Sequence, residues 1–223
     1  MEKLIRLLSS GMSQLRVGGS SISFRLLLRN ADLLIVPWVL DILVLYSYIC
    51  ARAASSAIPA ATTYLGYQVR PQLLALVYSG HQTLFQAAAA RVNLGYLMVC
   101  GAVALLILSL ESHISKLVGA DSGDFRQVLI WAVAGQSTPV LFGATSLLMQ
   151  VNDRRVFHDL LLGVAVVFFL CFVAVIDDWD TILIVQTWAV AQLTHAGICA
   201  LLLTQCGVWP GLTAVFHKEI KLF

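Results

Sequence analysis

Long apolar segments separated by short polar turns run along most of the chain. Each has roughly 20 to 25 residues, the length that an α-helix needs to cross the ~30 Å hydrocarbon core of a bilayer. The stretch between the second and third segments, 67–91, is less apolar, and we interpret it as a helix end followed by an amphipathic stretch on the membrane surface. The pattern predicts an all-α protein with six transmembrane helices, at about 21–40, 42–66, 92–112, 127–150, 156–176 and 181–204.

Proline and glycine occur where two of these segments are expected to bend. Pro59 lies inside the second segment among many small residues, and it predicts a kink there. In the fourth segment Gly135, Pro139 and Gly143 recur every four residues, so they share one helix face. That face predicts close helix packing and a local break in the helix.

The composition places the protein in a membrane. Hydrophobic residues make up 59% of the chain and charged residues 12%, whereas a soluble domain has about 25% charged residues. So little charge cannot cover a soluble surface. The cysteines are dispersed through apolar segments without CxxC spacing, which argues against a disulfide framework and a zinc site and favours small packing residues. They are Cys50, Cys100, Cys171, Cys199 and Cys206.

The distribution of charge between alternate turns predicts the orientation. One set of turns and both ends carry most basic residues, namely Lys3, Arg6, Arg16, Arg70, Arg91, Arg154, Arg155, Lys218 and Lys221. The opposite set carries Lys116 and Arg126 and collects Asp41, Glu111, Asp121, Asp124, Asp177, Asp178 and Asp180. Because basic turns remain in the cytoplasm, we expect both termini there. We divide the chain into a basic amphipathic helix on the cytoplasmic surface (1–19), a six-helix transmembrane lobe (20–204) and a cytoplasmic tail (205–223).

Four charged residues fall inside the first two segments. Arg25, Arg29 and Asp32 share one helix face, and this face must avoid lipid because each buried charge there costs at least ~2.5 kcal/mol. Arg25 is near the cytoplasmic end, where it can extend to the interface. Arg29 and Asp32 either neutralise each other as an i,i+3 pair or form a binding site. Arg52 has no acidic residue within one turn, so its partner is Asp32 on the neighbouring helix or an anionic ligand.

Weaker candidates lie in the last two segments. Asp159 either pairs with Arg155 one turn earlier or binds an ion. Gln192 and His195 share a face of the sixth segment, where the histidine is either a hydrogen-bonded packing residue or a proton relay. The motifs HExxH, GxSxG and GxxxxGK[ST] do not occur, and no acidic cluster has metal-ligand spacing, so we predict neither an enzyme nor a metal site. The dispersed basic residues do not form a nucleic-acid footprint.

Several short motifs follow one another over roughly residues 20–205, and their order and spacing are more specific than any one of them. They are Arg29-Asn30-Ala31-Asp32-Leu33-Leu34-Ile35-Val36, Leu45-Tyr46-Ser47-Tyr48 with Ala51-Arg52-Ala53, Pro71 through Arg91-Val92-Asn93, Val118-Gly119-Ala120 through Phe125 with Val128-Leu129 and Gly135-Gln136, and Gly143 with Leu147-Leu148-Met149-Gln150. This order resembles the C-terminal lobe of polysaccharide flippases in the multidrug/oligosaccharidyl-lipid/polysaccharide exporter superfamily.

The chain departs from that family in three respects. Val44 and Leu45 precede Tyr46 where the family usually has a glycine, and Asn152 and Asp153 occupy a turn that usually contains one. A complete flippase has two lobes and 12 or more helices, whereas this chain matches one lobe. The resemblance therefore implies a fragment, a split subunit or a half-size protein that dimerises.

The resemblance implies a transport mechanism and a location in the bacterial inner membrane. A saccharide carried on a polyprenyl pyrophosphate would enter a cationic cavity between two lobes, which rock to expose it on the other side. Arg29 and Arg52 match cavity positions and suit a pyrophosphate, because guanidinium groups donate bidentate hydrogen bonds. Asp32 matches an acidic position and is the candidate for H⁺ or Na⁺ coupling, with no other cofactor. The expected partners are the lipid-linked saccharide, membrane lipids and a second transmembrane lobe.

Two alternatives remain open. A multidrug or cation antiporter lobe of the same superfamily would share the fold, but its pocket would be acidic and aromatic. A non-transporting membrane assembly protein would have no substrate pathway.

Overall fold

The computed structural model describes residues 30–119, 122–175, 180–205, 207 and 208. These residues form helices and turns and contain no strands, which confirms the all-α prediction for this part of the chain. The helices are α1 (Ala31–Val39), α2 (Ile42–Ser55), α3 (Ala57–Tyr78), α4 (Gln82–Ser109), α5 (Glu111–Val118), α6 (Ser122–Gln136), α7 (Thr138–Phe142), α8 (Thr145–Val151), α9 (Arg155–Val175) and α10 (Thr181–Gln205).

In the described part of the chain, three helices are long and apolar enough to cross a membrane. They are Gln82–Ser109, Val156–Val175 and Thr181–Gln205, and they correspond to the third, fifth and sixth predicted segments. Large apolar side chains are exposed on their outer surfaces, including Leu105, Val167 and Leu201. Such surfaces suit contact with lipid rather than water. The predicted terminal regions 1–19 and 209–223 lie outside the described residues.

The second predicted segment is divided into α2 and α3 by a turn at Ser56. Pro59 follows three residues later, in the first turn of α3. Because proline has no N–H, it cannot donate to the carbonyl of Ser55, the i−4 bond that a continuous helix would make. The helix is therefore interrupted three residues before Pro59, in the region where a kink was predicted.

The helix end predicted within residues 67–91 is present at Tyr78, but the amphipathic stretch expected on the membrane surface is not a separate element. The helix α3 continues through Pro71 to Tyr78, and α4 begins at Gln82 after a turn in which Gly80 has a φ of 72°. The two long helices pack against each other as a hairpin. Leu73 and Phe85 are buried in a shared apolar cluster, so the modest hydropathy of this stretch marks the ends of two packed helices.

The fourth predicted segment is divided into α6, α7 and α8, which confirms the break expected from its glycines and proline. Gly143 adopts a φ of 70°, a left-handed conformation that glycine reaches without steric cost. At the other end of the motif, a Cβ added to Gly135 would lie 3.1 Å from the Cα of Ala189. This glycine therefore allows α6 and α10 to pack closely.

Two apolar clusters hold the helices together, and α10 runs through both. Ile184 and Trp188 of α10 belong to the first cluster, which also includes parts of α1, α2, α6 and α9. Cys199 and Leu203, further along α10, belong to the second, with parts of α3, α4 and α8. Residues 192–196 of α10 lie between the two sets in sequence. Two of them, Gln192 and His195, are polar and line a cavity.

Candidate functional site

The charged residues of the first two helices form one buried cluster. The Arg52 guanidinium donates from Nε to Asp32 Oδ2 over 2.5 Å and from Nη2 to Asp32 Oδ1 over 3.1 Å. The Tyr48 hydroxyl donates to Asp32 Oδ2 over 2.7 Å. Tyr48 and Arg52 are four residues apart on α2, so both reach the same carboxylate on α1. The structure thus confirms Asp32 as the partner expected for Arg52.

The side chains of this cluster are almost completely buried. Relative exposure is 0% for Asp32, 0% for Tyr48 and 4% for Arg52. Both carboxylate oxygens accept hydrogen bonds, so the charges neutralise each other within the first apolar cluster. Arg25 and Arg29 lie outside the described residues, and the roles of Arg29 and Arg52 in substrate binding and of Asp32 in ion coupling remain predictions.

A separate polar cavity of about 420 Å³ lies at the level between the two apolar clusters. It is lined by residues of α3, α4, α6, α7, α8, α9 and α10, and by Gly143 and Ala144 at the break between α7 and α8. Its lining is rich in hydroxyl, amide and imidazole groups. The polar and aromatic residues that line it are Thr62, Thr63, Tyr67, Arg70, Tyr96, Gln136, Thr138, Thr145, Ser146, Gln150, His158, Gln192 and His195.

The broken fourth segment forms part of the cavity wall. The chain leaves helical geometry at Gly143 and Ala144, both of which line the cavity. Asn93 of α4, buried in the interior, accepts a hydrogen bond through Oδ1 from the Ala144 N–H over 2.8 Å. This bond satisfies a backbone donor that the break would otherwise leave buried and unpaired. In a membrane, irregular backbone is tolerated where it lines such a cavity.

Two donors in the cavity wall stand out because they lack partners among the described residues. Gln192 Nε2 is buried and makes no hydrogen bond, which costs free energy unless a ligand or water accepts from it. Arg70, which the sequence placed in a cytoplasmic turn, instead lines the cavity from α3 and makes no ion pair to a described residue. The described residues that line the cavity include no aspartate or glutamate.

The weaker candidates Asp159 and His195 meet through a residue that the sequence did not indicate, His158. The side chains of His158 and Asp159 pair between Nδ1 and Oδ1 over 3.2 Å. The His158 and His195 rings pack edge to face with centroids 4.8 Å apart, and His195 Nε2 is 3.3 Å from the His158 carbonyl oxygen. The expected pairing of Asp159 with Arg155 involves a side chain outside the described part of the chain.

No protein-family model, no curated protein and no solved structure matches this chain. Membership of the flippase family therefore stays a prediction from the motifs quoted above. The function proposed below rests on the cavity and on the membrane character of the helices.

Proposed function

We propose that this chain is one half of a transporter of the bacterial inner membrane, and that it moves a lipid-linked saccharide by alternating access. In this proposal the membrane is crossed six times, by α1 with the residues before it, α2–α3, α4, α6–α8, α9 and α10, with both termini in the cytoplasm. A second lobe, either a separate half or another copy, completes the pathway. The basic residues near both ends of the sequence and at the α8–α9 turn support this orientation.

The main support for the proposal is the polar cavity between the two apolar clusters. Burying polar groups costs free energy unless they are paired, so a cavity lined by hydroxyl, amide and imidazole groups, with the buried Gln192 Nε2 unpaired among the described residues, supports a polar ligand or a water-filled pathway. Discontinuous helices at such a site are a recurring feature of transporters. Here the break at Gly143 and Ala144 opens onto the cavity.

The chemistry of the lining suits a saccharide joined to a phosphate. Hydroxyl and amide groups such as Thr63, Gln150 and Gln192 can exchange hydrogen bonds with sugar hydroxyls. Arg70 offers the planar donors that recognise phosphate oxygens. A pocket for a drug cation would be expected to contain a carboxylate, and none is found among the described residues of the lining.

The test is site-specific photocrosslinking in native membranes that contain a lipid-linked saccharide labelled in its sugar. A photoreactive residue at Thr63, in the cavity wall, should capture the labelled sugar. The matched control is Leu201 on α10, whose side chain is 65% exposed on the outer surface. Equal capture at both positions, or capture at Leu201 alone, would contradict binding of the saccharide in the cavity.

A further inference from the structure

Three potential metal ligands meet between α9 and α10. His158 on α9 and His195 and Cys199 on α10 are all buried, and one donor atom from each lies within 4.8 Å of the other two. His195 and Cys199 are four residues apart, so their side chains lie on the same helix face. The dispersed cysteines gave no sign of this cluster in the sequence, because its third member comes from another helix.

One donor–donor distance in the cluster matches the edge of a tetrahedral site. For bond lengths near 2.1 Å to nitrogen and 2.3 Å to sulfur, adjacent ligands of a tetrahedral zinc ion lie ~3.5 Å apart. Cys199 Sγ is 3.6 Å from His195 Nε2, which matches this edge. The donor atoms lie within 4.8 Å of one another, so a metal ion would require the most distant pair to move closer together.

The surroundings of His158 orient it for coordination. Its Nδ1 faces Asp159 Oδ1 at 3.2 Å, which leaves Nε2 as the ring nitrogen available to a metal. A carboxylate that accepts the other N–H of a ligating histidine is a common support of zinc sites, since it fixes the tautomer and raises the basicity of the ligand. His158 and His195 also line the polar cavity, which provides a route for an ion and a place for a water ligand.

We propose that His158, His195 and Cys199 bind one borderline-to-soft transition-metal ion, represented by Zn²⁺, and so join α9 to α10. The two imidazoles bind in their neutral form, and Cys199 gives up its thiol proton to solvent through the cavity. A water molecule from the cavity takes the fourth position. Thiolate and imidazole ligands select this class of metal over Mg²⁺ and Ca²⁺, which prefer oxygen. The proposal does not depend on the transport function.

The test uses the purified full chain in detergent, with Co²⁺ as a spectroscopic probe of the Zn²⁺ site. We expect one Co²⁺ per chain, with a thiolate-to-cobalt charge-transfer band and the ligand-field bands of a tetrahedral site. Cys199→Ser should abolish the charge-transfer band, and Asp159→Asn should weaken binding by ~10- to 100-fold. Cys100→Ser is the matched control, because Cys100 is equally buried, and this variant should keep the band.

A measurement on the unaltered chain covers the case in which Cys199→Ser fails to fold. Zn²⁺ should raise the thermal unfolding midpoint of the wild type, whereas Mg²⁺ at the same concentration should not, since a ligand that binds only the folded state stabilises it. Cobalt spectra without a charge-transfer band, or with one that survives Cys199→Ser, would overturn the proposal. Absence of any Zn²⁺ effect on wild-type unfolding would do the same. The cluster would then be a hydrogen-bonded packing contact.

Discussion

The buried pair of Asp32 and Arg52 allows a sharp prediction about what its charges do. Arg52→Met removes the guanidinium but keeps an apolar chain of similar length. The Asp32 carboxylate, at 0% exposure, would then keep only the Tyr48 hydroxyl as a partner. Breaking a buried ion pair from one side typically costs 3–5 kcal/mol, so we expect a loss of about 3–5 kcal/mol in the free energy of unfolding.

The double variant Asp32→Leu with Arg52→Met should recover much of that loss. It replaces both charges by apolar groups, and such replacements are often neutral or stabilising. The remaining cost is the Tyr48 hydroxyl, which loses its acceptor at a cost of about 1–3 kcal/mol. We therefore expect the double variant to be about 2 kcal/mol more stable than Arg52→Met, measured by reversible unfolding in detergent micelles with tryptophan fluorescence.

The same variants separate a structural role from a role in transport. Because neither residue lines the cavity, we expect the folded double variant to support surface-glycan assembly in a strain that depends on this chain. A double variant that folds but does not export would show that Arg52 or Asp32 acts in transport, as the flippase resemblance implies for substrate binding and ion coupling respectively. A double variant less stable than Arg52→Met would refute the electrostatic argument.

Three further predictions concern the walls of the cavity. Asn93→Leu removes the acceptor for the Ala144 N–H and should cost about 1–3 kcal/mol in unfolding free energy, while Asn93→Asp keeps an acceptor and should cost less. Gly135→Ala places a Cβ 3.1 Å from the backbone of α10 and should cost about 1–3 kcal/mol in the same assay, whereas Gly163→Ala, with no atom within 4 Å, should not destabilise the protein. Arg70→Ala should lower export at unchanged protein level, with Arg70→Lys intermediate because lysine cannot bind phosphate bidentately, as measured by surface glycan per cell.

The sequence predicted features that depend on local chemistry and on the cost of charge in a membrane. Pro59 and Gly143 act through backbone geometry, so their breaks could be predicted without knowledge of neighbouring helices. The pairing of Asp32 with Arg52 was also predictable, because two opposite charges on consecutive apolar helices have few alternatives to each other. These are strong local constraints.

The polar cavity and the histidine–cysteine cluster depend on packing between distant parts of the chain. The fall in hydropathy near Arg70 predicted a turn there. In the structure α3 continues past Arg70, and the Arg70 side chain lines the cavity. The four-residue spacing of His195 and Cys199 was visible in the sequence, but His158 joins them only because α9 packs on α10. No periodicity within one segment could reveal that meeting.

If the cavity carries a saccharide head group across the membrane, the protein must catalyse transbilayer movement of a lipid-linked saccharide. The full chain, with its second lobe where one is required, is reconstituted into vesicles with a labelled lipid-linked saccharide. Movement is followed by the access of a membrane-impermeant glycosidase. We expect wild-type vesicles to expose the inner-leaflet pool of the labelled saccharide. Gln192→Leu, which removes a cavity donor, should slow this movement, whereas a change at the exposed Leu201 should not. Movement no faster than in protein-free vesicles, or unaffected by Gln192→Leu, would contradict this role of the cavity.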